Sequence, residues 1–257
     1  DKYTNKQLVL IPAILIAIAI SILLFWTVST GLPVDRGIDF VGGTEVRIDI
    51  TGVENPESEI DTAFNSNQDS IYSIPGTDGY IVTFATGVTT PEEVETVISE
   101  NANMELAQIS QISPLLGRDS QQTALMGLGI AFLLMSLFVF ALFRSIIPSL
   151  IVILSAVSNI VVAVASMNIA SIPLSMGTVG ALLMLIGYSV DSDILMNTYV
   201  LREHKIKFQE SIHEAMRTGV SMTVTSLAAM LVMAIVATLF GVELLADMGF
   251  VLSVGLA

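Results

Sequence analysis

The chain has 257 residues, of which 53% are hydrophobic and only 13% charged, with a mean hydropathy of +0.77. Soluble domains carry roughly a quarter charged residues, so this chain belongs mostly in lipid and the ordinary soluble enzyme classes drop out. With no cysteine, disulfides, thiol nucleophiles and cysteine metal sites are excluded as well.

The first element in chain order is an apolar run over 8–28, long enough to cross a bilayer, which takes about 18 residues or more. No small-residue cleavage site ends it, so a signal peptide is not expected. The chain opens without methionine and stops at Ala257 inside an apolar stretch, so both ends are expected to be trimmed and the last helix incomplete.

Residues 29–119 are of another kind. They hold sixteen acidic residues against three bases, Arg36, Arg47 and Arg118, a balance of −13 within a chain total of −14. Nearly all the charge therefore sits on one water-exposed module, assigned to 31–119. Its field repels phosphate backbones, so nucleic acid is not a partner. Such acidity fits a surface kept hydrated at high salt, with a cationic partner as the sharper alternative.

Within the module the pattern predicts strand 44–51, helix 56–65, strand 70–75, a turn Gly76-Thr77-Asp78-Gly79, strand 80–85, helix 91–101 and strand 104–113. Alternation of Val46, Ile48 and Ile50 gives the first strand one apolar face. Thr90-Pro91-Glu92-Glu93 combines a hydroxyl cap, a proline at the first helical position and acids in the first turn. The order βαββαβ is that of an α+β ferredoxin-like domain, which says nothing by itself about activity.

Five more apolar runs follow, at 122–143, 146–167, 174–200, 219–240 and 244–257, so the predicted fold is an α-helical membrane protein with six transmembrane helices and a soluble insert after the first. Lys2 and Lys6 precede the first run, Arg144 lies between the second and third, and Arg202, Lys205, Lys207 and Arg217 between the fourth and fifth. The opposite connections carry no base, so the positive-inside bias predicts cytoplasmic termini and an external soluble domain. The segment 201–216, with Ile206, Ile212 and Met216 on a polar background, is expected to lie as a short helix along the cytoplasmic surface.

No phosphate-binding loop of either glycine-rich type is present, so nucleotide hydrolysis is not expected. His204 and His213 both fall in the polar 201–216 segment, where a histidine metal site is not expected, and no acid-base or nucleophile constellation marks an enzyme. What remains is charge inside lipid. Asp191 and Asp193 interrupt the fourth run in Gly187-Tyr188-Ser189-Val190-Asp191-Ser192-Asp193, about 6 and 9 Å past its midpoint at 1.5 Å per residue.

An ionised carboxylate there costs several kcal/mol unless paired, hydrated or protonated, and such residues mark ion paths. Two residues apart on a helix, the carboxyls point about 200° apart, so one can face the bundle while the other faces a neighbouring subunit or water. Arg217, Ser221 and Thr225 form a polar stripe every four residues on the fifth run. Arg217 could serve as counter-group to Asp191 or simply snorkel at the interface. Asp193 and Asn197, one turn apart, could be a structural hydrogen-bond pair. Gly177, Gly180 and Gly187 are expected to mark close helix contacts.

Gly37-Ile38-Asp39-Phe40-Val41-Gly42-Gly43-Thr44, directly after the first helix, resembles the G-I-D-F-x-G-G-T signature of the SecF family, membrane subunits of the Sec protein-export machinery. Gly187-Tyr188-Ser189 followed by an acid resembles that family's fourth-helix motif, and Arg217-Thr218 with Ser221 and Thr225 its fifth-helix motif. With the acidic surface, the resemblance implies an archaeal, halophilic member. It further implies pairing with SecD, a relative in the resistance-nodulation-division superfamily, and use of an ion gradient to promote polypeptide export at a SecY-type channel in the cell membrane. No cofactor beyond the coupling ion, proton or sodium, is implied.

The familiar fourth-helix pattern puts its acid at the position of Ser192. Here Asp191 precedes and Asp193 follows, and Asp191 is the favoured carrier. Independently, Gly42 and Gly43 permit a turn closed to other residues, and Asp39 is expected to cap or hydrogen-bond that turn and not to bind a substrate. Two alternatives are a small-molecule exporter of the same superfamily and a scaffold that braces the channel without moving ions. Against the exporter, roughly 90 residues of insert leave little room for a pocket of several hundred Å³.

Overall fold

The computed structural model describes residues 5–53, 55–73, 78–85, 87–202, 208–240 and 242–257. Contacts divide the chain into two compact units, Arg36–Ala124 and a unit that joins Asp1–Asp35 to Leu125–Ala257.

A long helix α1 (Asn5–Thr30) comes first. A single helical turn α2 (Ile38–Val41) leads into strand β1 (Gly43–Ile50), helix α3 (Pro56–Ala63), strands β2 (Ser70–Ser73) and β3 (Gly79–Phe84), helix α4 (Pro91–Glu100) and strand β4 (Met104–Ile112). The predicted turn Gly76-Thr77-Asp78-Gly79 and the end of the preceding strand fall largely on residues 74–77, outside the described residues.

The four strands lie in the order β2-β3-β1-β4, every neighbouring pair antiparallel. Period-two alternation decides which face is covered, because successive side chains leave a strand on opposite sides. Val46, Ile48 and Ile50 of β1 join Val82 and Phe84 of β3 in a core closed by Ile60 and Phe64 from the α3 end and by Val94 and Ile98 of α4. Phe64 and Phe84 meet edge to face with ring centroids 5.0 Å apart, a favoured aromatic geometry. Thr90 accepts from the Glu93 main chain and Glu93 reaches back to Thr90 N at 3.0 Å, so the predicted cap of α4 is a complete capping box.

Helix α5 (Pro114–Phe143) begins in the sheet unit and from Leu125 belongs to the unit of long helices, with α6 (Ile146–Ile169), α7 (Met176–Arg202), α8 (Phe208–Leu239), α9 (Glu243–Leu256) and α1. Five of these, α1, α5, α6, α7 and α8, carry stretches long and apolar enough to cross a membrane, whereas the apolar stretch of α9, Leu244–Leu256, is shorter. One buried cluster gathers Ala163 and Met167 of α6, Ala181, Leu182 and Leu185 of α7, Met230 of α8 and Val251 and Leu252 of α9. A second joins Val139 of α5, Val152 and Ala156 of α6, and Ile186 and Val190 of α7. Large apolar side chains elsewhere on these helices point outward, Phe25 at 70% and Leu133 at 66% exposed among them, the arrangement expected when lipid is the solvent.

Glycine lets these backbones approach. A Cβ on Gly249 would sit 2.9 Å from the Ala234 backbone, and one on Gly177 would collide with Leu244, which fits small residues at helix crossings in membranes. Gly180 makes only an ordinary contact with Met248, and Gly187 has nothing within 4 Å. The expected close contact at Gly187 is therefore absent among the described residues, because that position lies on an exposed face of α7.

Two predicted boundaries change. The second apolar helix starts eight residues early, at Pro114, because proline is at home in a first helical turn and the Ser113 hydroxyl accepts from Leu116 N at 3.3 Å. Of the surface helix expected at 201–216, residues 203–207 lie outside the described residues, and among the described ones no separate helix is seen. α7 runs on to Arg202, and residues 208–216 are the first turns of α8 itself. Nothing between Phe208 and Gly219 breaks a helix, and a single interior glycine costs only about 1 kcal/mol. Lys2, His204, Lys205 and Lys207 lie outside the described residues.

Candidate functional site

The signature segment builds the foot of the sheet. Gly37 is the N-cap residue of α2, with no side-chain capping bond, and Gly42 ends the turn at φ 79°. Asp39 sits inside the first turn, one residue beyond Ile38. Gly43 follows at φ 137°, and a Cβ there would strike the Phe84 carbonyl oxygen. Both glycines hold conformations closed to other residues, as the sequence predicts.

Sequence reasoning missed Gly117. A Cβ on it would lie 2.9 Å from Gly42 N and 3.0 Å from the Phe40 carbonyl carbon, so the start of α5 packs directly on the motif, with Phe40 1% exposed. Next to this turn, burial pushes the Glu45 carboxyl above the usual carboxylate range. The Arg47 guanidinium, 3.9 Å away, pulls it back and Asp39 adds to the rise.

In the helical unit, a hydrogen bond fixes the register of α6 against α7. Asn159 Nδ2 donates to Ser189 Oγ at 2.7 Å, and one turn along the same faces, Ser155 lies against the Asp193 carboxyl. The numbers rise on one helix as they fall on the other, as antiparallel neighbours require, so the two rungs are about 6 Å apart along the axes. Asp193 Oδ2 is buried without a hydrogen-bond partner. Asn197 donates to the Asp193 main-chain oxygen at 2.9 Å; the expected pair exists, but it closes on the backbone and leaves the carboxyl to α6.

Asp191 points elsewhere. It is exposed, on the same face as Met184 and Gly187, and among the described residues its carboxyl has no ion pair. The 200° separation therefore resolves as one carboxyl against α6 and one away from this chain's helices, with the favoured carrier, Asp191, being the outward one.

Nor does Arg217 reach Asp191. Ser192 and Thr223 hydroxyls meet at 3.4 Å, and a Cβ on Gly219 would lie 3.3 Å from Met196. These contacts place Arg217 level with Thr198, about seven residues or roughly 10 Å along the axis from Asp191. Arg217, Ser221 and Thr225 are all exposed, and Thr225 Oγ1 donates to the Ser221 carbonyl at 2.8 Å. Arg217 and Ser221 line a shallow groove with Met216, Val220 and Val224. The stripe exists, but it faces away from α7, which is met instead by Gly219 and Thr223.

Against this geometry stand the known relatives. The family model described as "Protein export membrane protein SecD/SecF, C-terminal" matches residues 93–257. The chain is 51% identical over 255 residues to the protein-export membrane protein SecF of Haloferax volcanii, covering 99% of this chain and 87% of that one. The chain belongs to the SecD/SecF protein-export family. To the SecF of Methanolacinia petrolearia it is 39% identical over 260 residues, with 89% of that protein covered.

Among solved structures, SecDF of Thermus thermophilus, described as a translocon-associated membrane protein, superposes with a TM-score of 0.74 at 16% identity. The superposition covers all of this SecF-family chain and 36% of that one, so the chain spans about a third of the larger protein, and the likeness is one of fold. The membrane assignment made from composition holds: this is a multi-pass membrane protein of the export family.

Proposed function

We propose that this chain is an accessory subunit of a Sec protein translocase that works with a SecD-type partner, using an ion gradient to promote passage of polypeptide through a SecY-type channel. Its role is mechanical and not enzymatic, with no cofactor beyond the coupling ion, proton or sodium. α9 serves as a sixth, shorter span beside the five long ones, the 36–124 unit is a ferredoxin-like domain on the external face, and both termini are cytoplasmic. Membership in the wider resistance-nodulation-division superfamily follows from the same reading.

The observation that carries the coupling role is Asp193 Oδ2, buried and unpartnered within an apolar helix. A carboxylate so placed is strongly disfavoured as a bare anion, so taking up a cation changes which helix packing is preferred. Asp191, on the opposite side of α7, and the Arg217 stripe of α8 are then the groups that face the SecD-type partner.

Secretion by the purified complex in vesicles, with proton and sodium gradients imposed separately, tests the proposal. Asp193→Asn should leave the complex assembled while abolishing the gradient response. Full gradient-dependent export by that variant would sink the coupling assignment and leave a scaffold.

A further inference from the structure

α6 carries an unassigned polar seam. In an apolar span, Ser155 and Asn159 occur four residues apart, which puts both on one helix face. That face meets Ser189 and Asp193, likewise four apart on α7. Ala156 and Ala163, 1% and 0% exposed, are the small neighbours that bring the helices together there. The upper rung, Asn159 to Ser189, is a neutral bond whose acceptor is 5% exposed. The lower rung sets the Ser155 side chain against the Asp193 carboxyl, whose Oδ2 is buried without a hydrogen-bond partner.

We infer that Ser155 and Asn159 are positioning residues of the ion-loading site: Ser155 orients the Asp193 carboxyl toward the incoming proton or sodium ion, and Asn159 clamps α6 to α7 so that it can. This inference rests on the reading of Asp193 as the carrier. An ionised Asp193 can only accept from the Ser155 hydroxyl. A protonated Asp193 can donate, and a bound sodium ion would draw both oxygens, so loading must rearrange this rung. The Asn159–Ser189 bond contains no titratable group and stays fixed, which makes it the pivot. Ion loading therefore acts first on the α6–α7 joint, not on the α8 side, where the Ser192 and Thr223 hydroxyls meet at 3.4 Å.

The test labels carboxyls with a hydrophobic carbodiimide, which reacts with protonated carboxyl groups in apolar surroundings, in the full chain within its native membrane complex. Peptide mass spectrometry reads the rate at Asp193 and Asp191 separately. Ser155→Ala removes the hydroxyl set against the carboxyl, so the initial labelling rate at Asp193 should rise about tenfold, about the worth of one hydrogen bond to a charged group. Ser155→Thr should restore the wild-type rate. Asn159→Leu should move Asp193 labelling the same way, while Asp191 labelling stays constant in every variant.

Protection of wild-type Asp193 by sodium at constant pH identifies sodium as the loaded ion, and protection only by raising the pH identifies the proton; either supports the site. Wild-type Asp193 that labels and is protected, with Ser155→Ala within twofold of it, overturns the role of α6 alone. A wild-type Asp193 that neither labels nor responds to pH or sodium overturns the carrier reading, and this inference with it.

Discussion

Gly117→Ala offers the sharpest check on how the signature motif is held. Alanine is favoured over glycine inside a helix by about 1 kcal/mol, so on propensity alone every helical glycine of α5 should gain from the change. Gly127 and Gly129 have nothing within 4 Å of an added Cβ, and Gly127→Ala and Gly129→Ala should each stabilise by up to about 1 kcal/mol. At Gly117 the added carbon would meet Gly42 N at 2.9 Å and the Phe40 carbonyl carbon and oxygen at 3.0 and 3.1 Å.

These separations are tighter than ordinary van der Waals contact, so three backbone atoms of a turn pinned by Phe40 would each have to give by a few tenths of an ångström. Overpacking of this kind costs about 1–3 kcal/mol. Gly117→Ala should therefore be neutral to about 2 kcal/mol less stable than the parent, opposite in trend to its two controls. Melting in detergent should separate the variants by about 2–4 °C per kcal/mol, and hydrogen exchange over residues 38–45 should rise in Gly117→Ala alone. If Gly117→Ala melts above the parent together with the two controls, and exchange over the motif is unchanged, the packing argument is wrong.

Other tests bear on the sheet unit. Burial raises the Glu45 carboxyl above its unfolded value of 4.5, so the folded state binds its proton more tightly. The favourable contribution is complete below pH 4.5 and is lost as pH climbs through the folded value. Glu45→Gln should accordingly melt above the parent at neutral pH, with the difference shrinking toward pH 4; a gap that widens on acidification would reverse the sign. Thr90→Ala breaks the α4 capping box and should cost about 0.5–2 kcal/mol, visible as faster exchange in the first turn of α4 and not in α3. Val82→Ala removes two methyls from a fully buried position between strands and should lower stability by roughly 1–3 kcal/mol, measured by the same melts.

The sequence by itself settled what the solvent decides. A run of apolar residues long enough to span lipid has few alternatives to a helix, so the helix positions were legible, as were the acidic insert and its strand alternation. The conformational need for glycine at Gly42 and Gly43 was legible too, because φ is a property of one residue and its immediate neighbours. Boundaries were less so. Pro114 opens α5 and residues 208–216 continue α8 because local helix chemistry prevails wherever nothing breaks it, and composition alone does not mark that point.

Only the tertiary structure chose partners. The i to i+4 spacing of Arg217, Ser221 and Thr225 and that of Ser155 and Asn159 are equally visible in the chain, yet among the described residues only the second stripe meets another helix. Spacing fixes which residues share a helix face. Which helix that face meets depends on antiparallel register, set here by Ser189 against Asn159 and by Gly219 against Met196. That register turns Asp193 inward toward Ser155, leaves Asp191 outside, and holds Arg217 about two turns away from Asp191.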